Sequence, residues 1–174
     1  MLNNKTLRVL SLLCVVACLM LAVLSACGTK DVRFMDEKKF TKEEMTITLT
    51  KGFKETEMAG YTACYDSNKV AVFVLREAKS DFAEIEDMSL LDYAELVRQA
   101  NSSRLPSEVG FDRSGFYFEY SAYNSEEGKT YKYYTTLHES KEAFWLVQFA
   151  ASTEDYTECK EFMIKCATSV VMNG

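Results

Sequence analysis

The chain has 174 residues, 48% hydrophobic and 26% charged, and its 26 acids against 20 basic residues give a formal net charge of −6. That balance excludes an extended phosphate-binding face of the kind nucleic-acid binders carry. With a single proline, seven glycines and no internal repeat or low-complexity stretch, the composition also excludes a repeat array and points to one ordinary domain.

Residues 1–8 carry Lys5 and Arg8 and no acid, and an apolar run over 9–24 follows, broken only by Ser11. A basic segment, an apolar segment and small residues at its end make a secretory signal. The apolar run is shorter than the ~20 residues a membrane-spanning helix needs. It ends Leu24-Ser25-Ala26-Cys27-Gly28, which looks like the lipobox of bacterial lipoprotein precursors. A cysteine sulfur is a good nucleophile for taking a diacylglyceryl group. Small Ser25 and Ala26 admit a peptidase to the bond before Cys27, and two acyl chains anchor stably where one binds marginally. The expectation is a lipoprotein with signal peptide 1–26 removed, held on the extracytoplasmic face of the cell membrane by diacylglycerol on Cys27. An uncleaved single-pass anchor is the competing reading, and the agreement of all three signal features disfavours it. Cys14 and Cys18 leave with the signal.

The remaining 148 residues hold 18 basic and 26 acidic side chains, a balance of −8. That disfavours a domain lying flat on an anionic membrane and is explained by solubility alone. Residues 27–44 are polar and charged and read as a flexible tether; 45–174 read as the globular domain. Residues 46–50 alternate with period two and predict a strand. A second short strand is expected over 61–66, closed by the turn cluster Asp66-Ser67-Asn68. Residues 70–75 run apolar without alternation, as a strand covered on both faces does.

Ser89 with Asp92 resembles a capping box, and Leu90, Tyr93, Ala94, Val97 and Ala100 make one helical face. Residues 101–110 read as a connection. Phe116, Phe118 and Tyr120 then alternate with Tyr117, Glu119 and Ser121 in a strand. A turn at Glu126-Glu127-Gly128-Lys129 leads to its partner over 130–138, with Tyr131, Tyr133, Thr135 and Leu137 on one face. Residues 143–151 form another nearly continuous apolar strand, carrying Trp145. Ser152 and Asp155 open a last helix whose stripe is Tyr156, Cys159, Met163, Cys166 and Val170. Turns this short force the meander over 116–151 to be antiparallel. Two buried-type strands and two amphipathic helices predict an α+β sandwich, a mostly antiparallel sheet between helices.

This order of elements resembles the PsbP-like α/β/α sandwich, which includes small PsbP-related lipoproteins of bacteria. The resemblance rests on Met45-Thr46-Ile47-Thr48-Leu49-Thr50-Lys51-Gly52-Phe53, on 70–77, on Ser89-Leu90-Leu91-Asp92-Tyr93-Ala94, on Ala143-Phe144-Trp145-Leu146-Val147-Gln148-Phe149 and on the closing helix to Val171. It is a pattern of strands and helices, not a chemical signature. It implies a domain that binds other proteins or small ligands, and it brings no catalytic motif onto these positions.

The residues themselves offer few chemical candidates. His138 is the one histidine, and its place near a turn reads as a solvated strand end. Cys64, Cys159 and Cys166 with His138 lack the close ligand pairs of structural zinc sites, and the thiols read as buried, free core residues. Asp81, Glu84, Glu86 and Asp87 lack the glycine and spacing of a calcium loop and read as a solvated acidic loop before a helix. Alternating tyrosines suit both packing and binding, with Tyr117, Tyr123 and Tyr134 the ones to watch. No catalytic, cofactor-binding or metal residue is assigned and no cofactor is expected; Cys27 is the one assigned site. The expected function is a non-enzymatic binding or accessory module for an envelope protein or small ligand, with no nucleic-acid partner. The alternative is a hydrolase-like envelope enzyme.

Overall fold

The structure, a computed structural model, describes residues 31–82 and 87–173. The signal segment, Cys27, Glu84 and Glu86 lie outside the described residues.

The chain order is β1 (Glu37–Lys42), β2 (Met45–Thr50), β3 (Lys54–Thr56), β4 (Ala63–Asp66), β5 (Ala71–Ala78), α1 (Leu90–Ala100), β6 (Gly110–Asp112), β7 (Gly115–Asn124), β8 (Lys129–Glu139), β9 (Ala143–Ser152), α2 (Thr153–Thr168) and β10 (Val171–Met172). Seven strands form one antiparallel sheet in the order β3-β4-β5-β9-β8-β7-β6, and β1-β2-β10 form a second. The apolar run over 143–151 therefore becomes the middle strand. It pairs with β5 through Val74↔Val147 and with β8 through Tyr134↔Phe149.

Alternation along these strands divides the large sheet into two faces. Val72, Val74, Tyr134, Trp145, Val147 and Phe149 point to one core, which α2 covers with Tyr156, Cys159, Met163 and Cys166. Phe118, Leu137, Phe144 and Leu146 point the other way, under Tyr93, Ala94 and Val97 of α1. Tyr93 fastens α1 twice. Its ring stacks on Phe144 at 4.5 Å, and its hydroxyl donates to Glu77 at 2.6 Å. Burial keeps the Glu77 carboxyl above its usual pKa, against that hydrogen bond. The predicted capping box is present: the Asp92 amide donates to Ser89 Oγ at 3.2 Å and the Ser89 amide to Asp92 Oδ2 at 3.0 Å. Such a cap contributes about 1 kcal/mol. The fold is the expected α+β sandwich, with one addition: the second sheet shares with α2 the covering of one face.

That addition corrects the expected tether over 27–44. From Val32 onward the stretch belongs to the domain. Val32 is fully buried and Phe40 nearly so, both in the α2-side core. β1 pairs with β2 along its whole length, from Glu37↔Thr50 to Lys42↔Met45. Phe40 meets the ring of Tyr65 at 4.8 Å, and Thr50 Oγ1 donates to the Val32 carbonyl at 2.8 Å. Gly52 makes room for this segment, since a Cβ there would stand 2.6 Å from Met35 Sδ and 3.0 Å from Val32 Cγ2. The stretch looks like a tether because five of the six β1 side chains are not buried. An edge strand is held by backbone pairing, which leaves no apolar period to read.

Candidate functional site

The residues singled out in the sequence are not brought together. Cys64 lies on the α1 side of the sheet, while Cys159 and Cys166 lie on the α2 side. All three thiols are free and buried, and burial pushes Cys64 and Cys166 up to about 12. Among the described residues no group of three or more His, Cys, Asp or Glu stands together to hold a metal.

His138 differs from its expected solvated state. It is half-buried, on the β8 face that also carries Tyr134, and pairs across with Trp145. Its Nε2 lies 3.0 Å from Thr136 Oγ1, and burial pushes its pKa down to about 4. Strand β8 runs one residue past His138, so the position near a turn still lies on the sheet face that carries Trp145 and the α2-side core.

Two of the watched tyrosines are structural. Tyr134 is fully buried, and its hydroxyl reaches Asp112 Oδ2 at 2.8 Å and Ser114 Oγ at 2.7 Å. Tyr117 stacks on it at 5.2 Å. Tyr123 is 68% exposed. Beside them Glu119 accepts from Tyr156 and from Lys160, each at 2.6 Å, tying β7 to α2. Burial opposes the charge on Glu119, but those two hydrogen bonds and the positive charges of Lys160 and Lys132 together hold its pKa below the usual carboxylate value.

A more coherent arrangement lies on the opposite face. α1 has 11 residues and is about 16 Å long at ~1.5 Å per residue. β7, β8 and β9 have 10 or 11 residues each, which at ~3.3 Å per residue is about twice that length. The helix therefore covers only part of the face. The rest is floored by a third cluster of Cys64, Ala71, Phe73, Tyr131 and Ala150, with Met58, Tyr61 and Tyr133 packed against it.

At its border with the α1-side cluster, buried Tyr120 and half-buried Tyr133 stack at 4.6 Å with rings 4° from parallel, and within it Tyr61 meets Phe73 at 5.2 Å. Arg104 lies over the Tyr120 ring at 5.5 Å. Gln148 Nε2 donates to the Tyr120 hydroxyl at 2.9 Å, and the Tyr131 hydroxyl donates to Glu127 Oε2. Two polar atoms here, Thr135 Oγ1 and the second oxygen of Glu127, are buried without a hydrogen-bond partner among the described residues. Thr135 pairs with Gln148 across the strands, which places its free oxygen on this floor. Aromatic walls with a few directed polar groups are how small-molecule and peptide sites are built. The tyrosine alternation on β8 was readable from the sequence. Met58 and Arg104 were not, because only the fold brings their connections over the sheet, and Tyr61, expected to open a strand over 61–66, instead precedes β4, which begins at Ala63.

No family model matches the chain, and no curated protein does. Among solved structures it is similar to the solution structure of cyanobacterial PsbP (CyanoP) from Synechocystis sp. PCC 6803. That likeness has a TM-score of 0.50 at 9% identity and covers 86% of this chain and 98% of that one. A likeness to a point mutant of the protein Mog1 has a TM-score of 0.49 at 12% identity, over 80% of this chain and 97% of that one. The first establishes a PsbP-like architecture, as the strand and helix order implied.

Proposed function

We propose that this protein is a lipid-anchored module on the extracytoplasmic face of a bacterial cell membrane, and that it binds an envelope protein or small ligand without catalysing a reaction. The observation that carries the binding role is the tyrosine floor beside α1, with stacked Tyr120 and Tyr133 and the unpartnered oxygens of Thr135 and Glu127. Tyrosines offer broad apolar contact with a polar tip, and buried polar atoms without partners favour a ligand that supplies them.

The hydrolase-like alternative needs an ionisable nucleophile or base. The buried thiols are held protonated, and His138 is held neutral with Thr136 as its partner. Cys64 and His138 also lie on opposite faces of the sheet, so the pairing such a site would draw on is not formed. Among the described residues no helix is long and apolar enough to cross a membrane; the attachment proposed here is the lipid on Cys27.

Two measurements test the proposal. A photo-crosslinking residue at position 133 should capture a defined adduct in intact cells, and the same residue at 123 should not. Equal capture at both positions, or none at 133, rejects the tyrosine floor as the recognition surface. Cys27→Ala should abolish incorporation of a fatty-acid analogue and leave the chain as precursor or as released protein. Undiminished label in that variant rejects the anchor.

A further inference from the structure

The tyrosine floor and the point where the chain enters the domain lie on different layers, and the entry point has its own exposed surface. Phe34 is 82% exposed, yet it is not a loose side chain. It belongs to a short 3-10 turn, Val32–Phe34, whose cap Asp31 accepts from the Arg33 amide at 3.0 Å. Arg33 donates to the Glu158 carbonyl of α2 at 2.9 Å and lies over the Phe34 ring at 5.3 Å. Phe34 opens onto a groove of about 530 Å³ floored by Phe162 and Thr168 of α2 and flanked by Arg113 and Lys165.

We infer that this face, led by Phe34, seats on the phospholipid interface of the membrane that holds the protein. The inference rests on the proposed lipidation of Cys27. Asp31 is four chain steps from Cys27, which at ~3.3–3.6 Å each allow at most about 14 Å. Phe34 is seven steps away, at most about 25 Å by the same reach. Because the chain is already packed into the domain at Asp31 and Val32, its entry face is confined close to the acyl chains. An exposed aromatic held there meets the zone where Phe and Trp bury in interfacial proteins.

Charge decides the kind of lipid. Arg33 pairs with Asp31 and Glu158, Arg113 with Glu161, and Lys165 with Glu37. Three cations against four acids do not make the polybasic patch that anionic lipid attracts. The contact is therefore apolar, needs no anionic lipid and is insensitive to salt. The long stems of Arg113 and Lys165 can lie along it with their charges in the headgroups.

The test uses the full lipidated protein in phosphatidylcholine vesicles, with Trp145 left in place as a buried reference. Phe34→Trp adds a reporter on the entry face. Phe111→Trp adds one at a 73% exposed site whose ring packs on Phe116 of the α1-side cluster. Lipids brominated in their acyl chains should quench most of the added emission from position 34 and little from 111, unchanged in about 1 M salt, where the Debye length is only ~3 Å. Flotation of the vesicles reports the anchor separately. Protein that floats without quenching at 34 overturns the seating while the anchor stands. Equal quenching at 34 and 111, or quenching that salt removes, overturns it too. An added emission shielded only as protein concentration rises assigns the face to a second copy instead. Protein that does not float removes the anchor and this inference together.

Discussion

Trp145→Ala should cost the domain about 3–5 kcal/mol, the usual result of removing a buried tryptophan through lost burial and a residual cavity. Total stabilities are about 5–15 kcal/mol, so the variant should be mostly unfolded or close to it. Trp145 is fully buried in the α2-side core. It stands on the middle strand, between Arg76 on β5 and His138 on β8. Neighbours on both sides leave no route for the sheet to collapse into the space. Its Nε1 is buried without a partner among the described residues, so the indole contributes through packing. Trp145→Phe keeps much of that packing and removes an unpaired donor, so it should cost clearly less. A urea melt separates this from a ligand-contacting role. An unchanged midpoint with an unchanged slope for Trp145→Ala would mean that the residue packs nothing essential.

Elements whose side chains carry a period were legible in the sequence. β9, with nine consecutive buried residues, could be covered on both faces and nothing else, and it lies in the middle of the sheet. Both helices begin at their predicted serine caps, Ser89 and Ser152. The odd residues of β8, from Tyr131 to Leu137, share a face as alternation requires. β1, β3, β6 and β10 escaped. Each is short or at an edge, and none buries more than one side chain. Their identity lies in backbone pairing, which composition does not record.

The candidate site was legible by half for a related reason. Alternation tells which tyrosines share a face, but how far each face is covered depends on where the helices and the second sheet lie. Tyr134, watched as a binding residue, became core on the α2 side, while Tyr133 on the other face stayed half-buried beside the third cluster. His138 shows the same gap. Distance from a turn along the chain says little about depth when the strand end stays on a sheet face that carries core.

A chain begun at Met45 should fail to fold cooperatively, whereas one begun at Gly28 should melt as the full mature domain does. Residues 28–44 include the six-residue β1, which pairs with β2 at every position. Without it β2 is left with only the two-residue β10, at Met45 and Thr46. Val32 and Phe40 are buried, and each such side chain contributes roughly 1.5–3 kcal/mol. Their loss alone removes about 3–6 kcal/mol from a domain that has about 5–15. The damage continues beyond those two. Thr50 loses its acceptor on Val32, the surface over Gly52 opens, and Tyr65 loses the ring of Phe40. A tether would behave in the opposite way, because removing solvated chain changes stability by tenths of a kcal/mol. Differential scanning calorimetry of the two soluble chains distinguishes these outcomes. Coincident transitions with equal unfolding enthalpy would return residues 31–44 to the role of a linker. They would also free the domain from the short leash that confines Phe34 to the membrane.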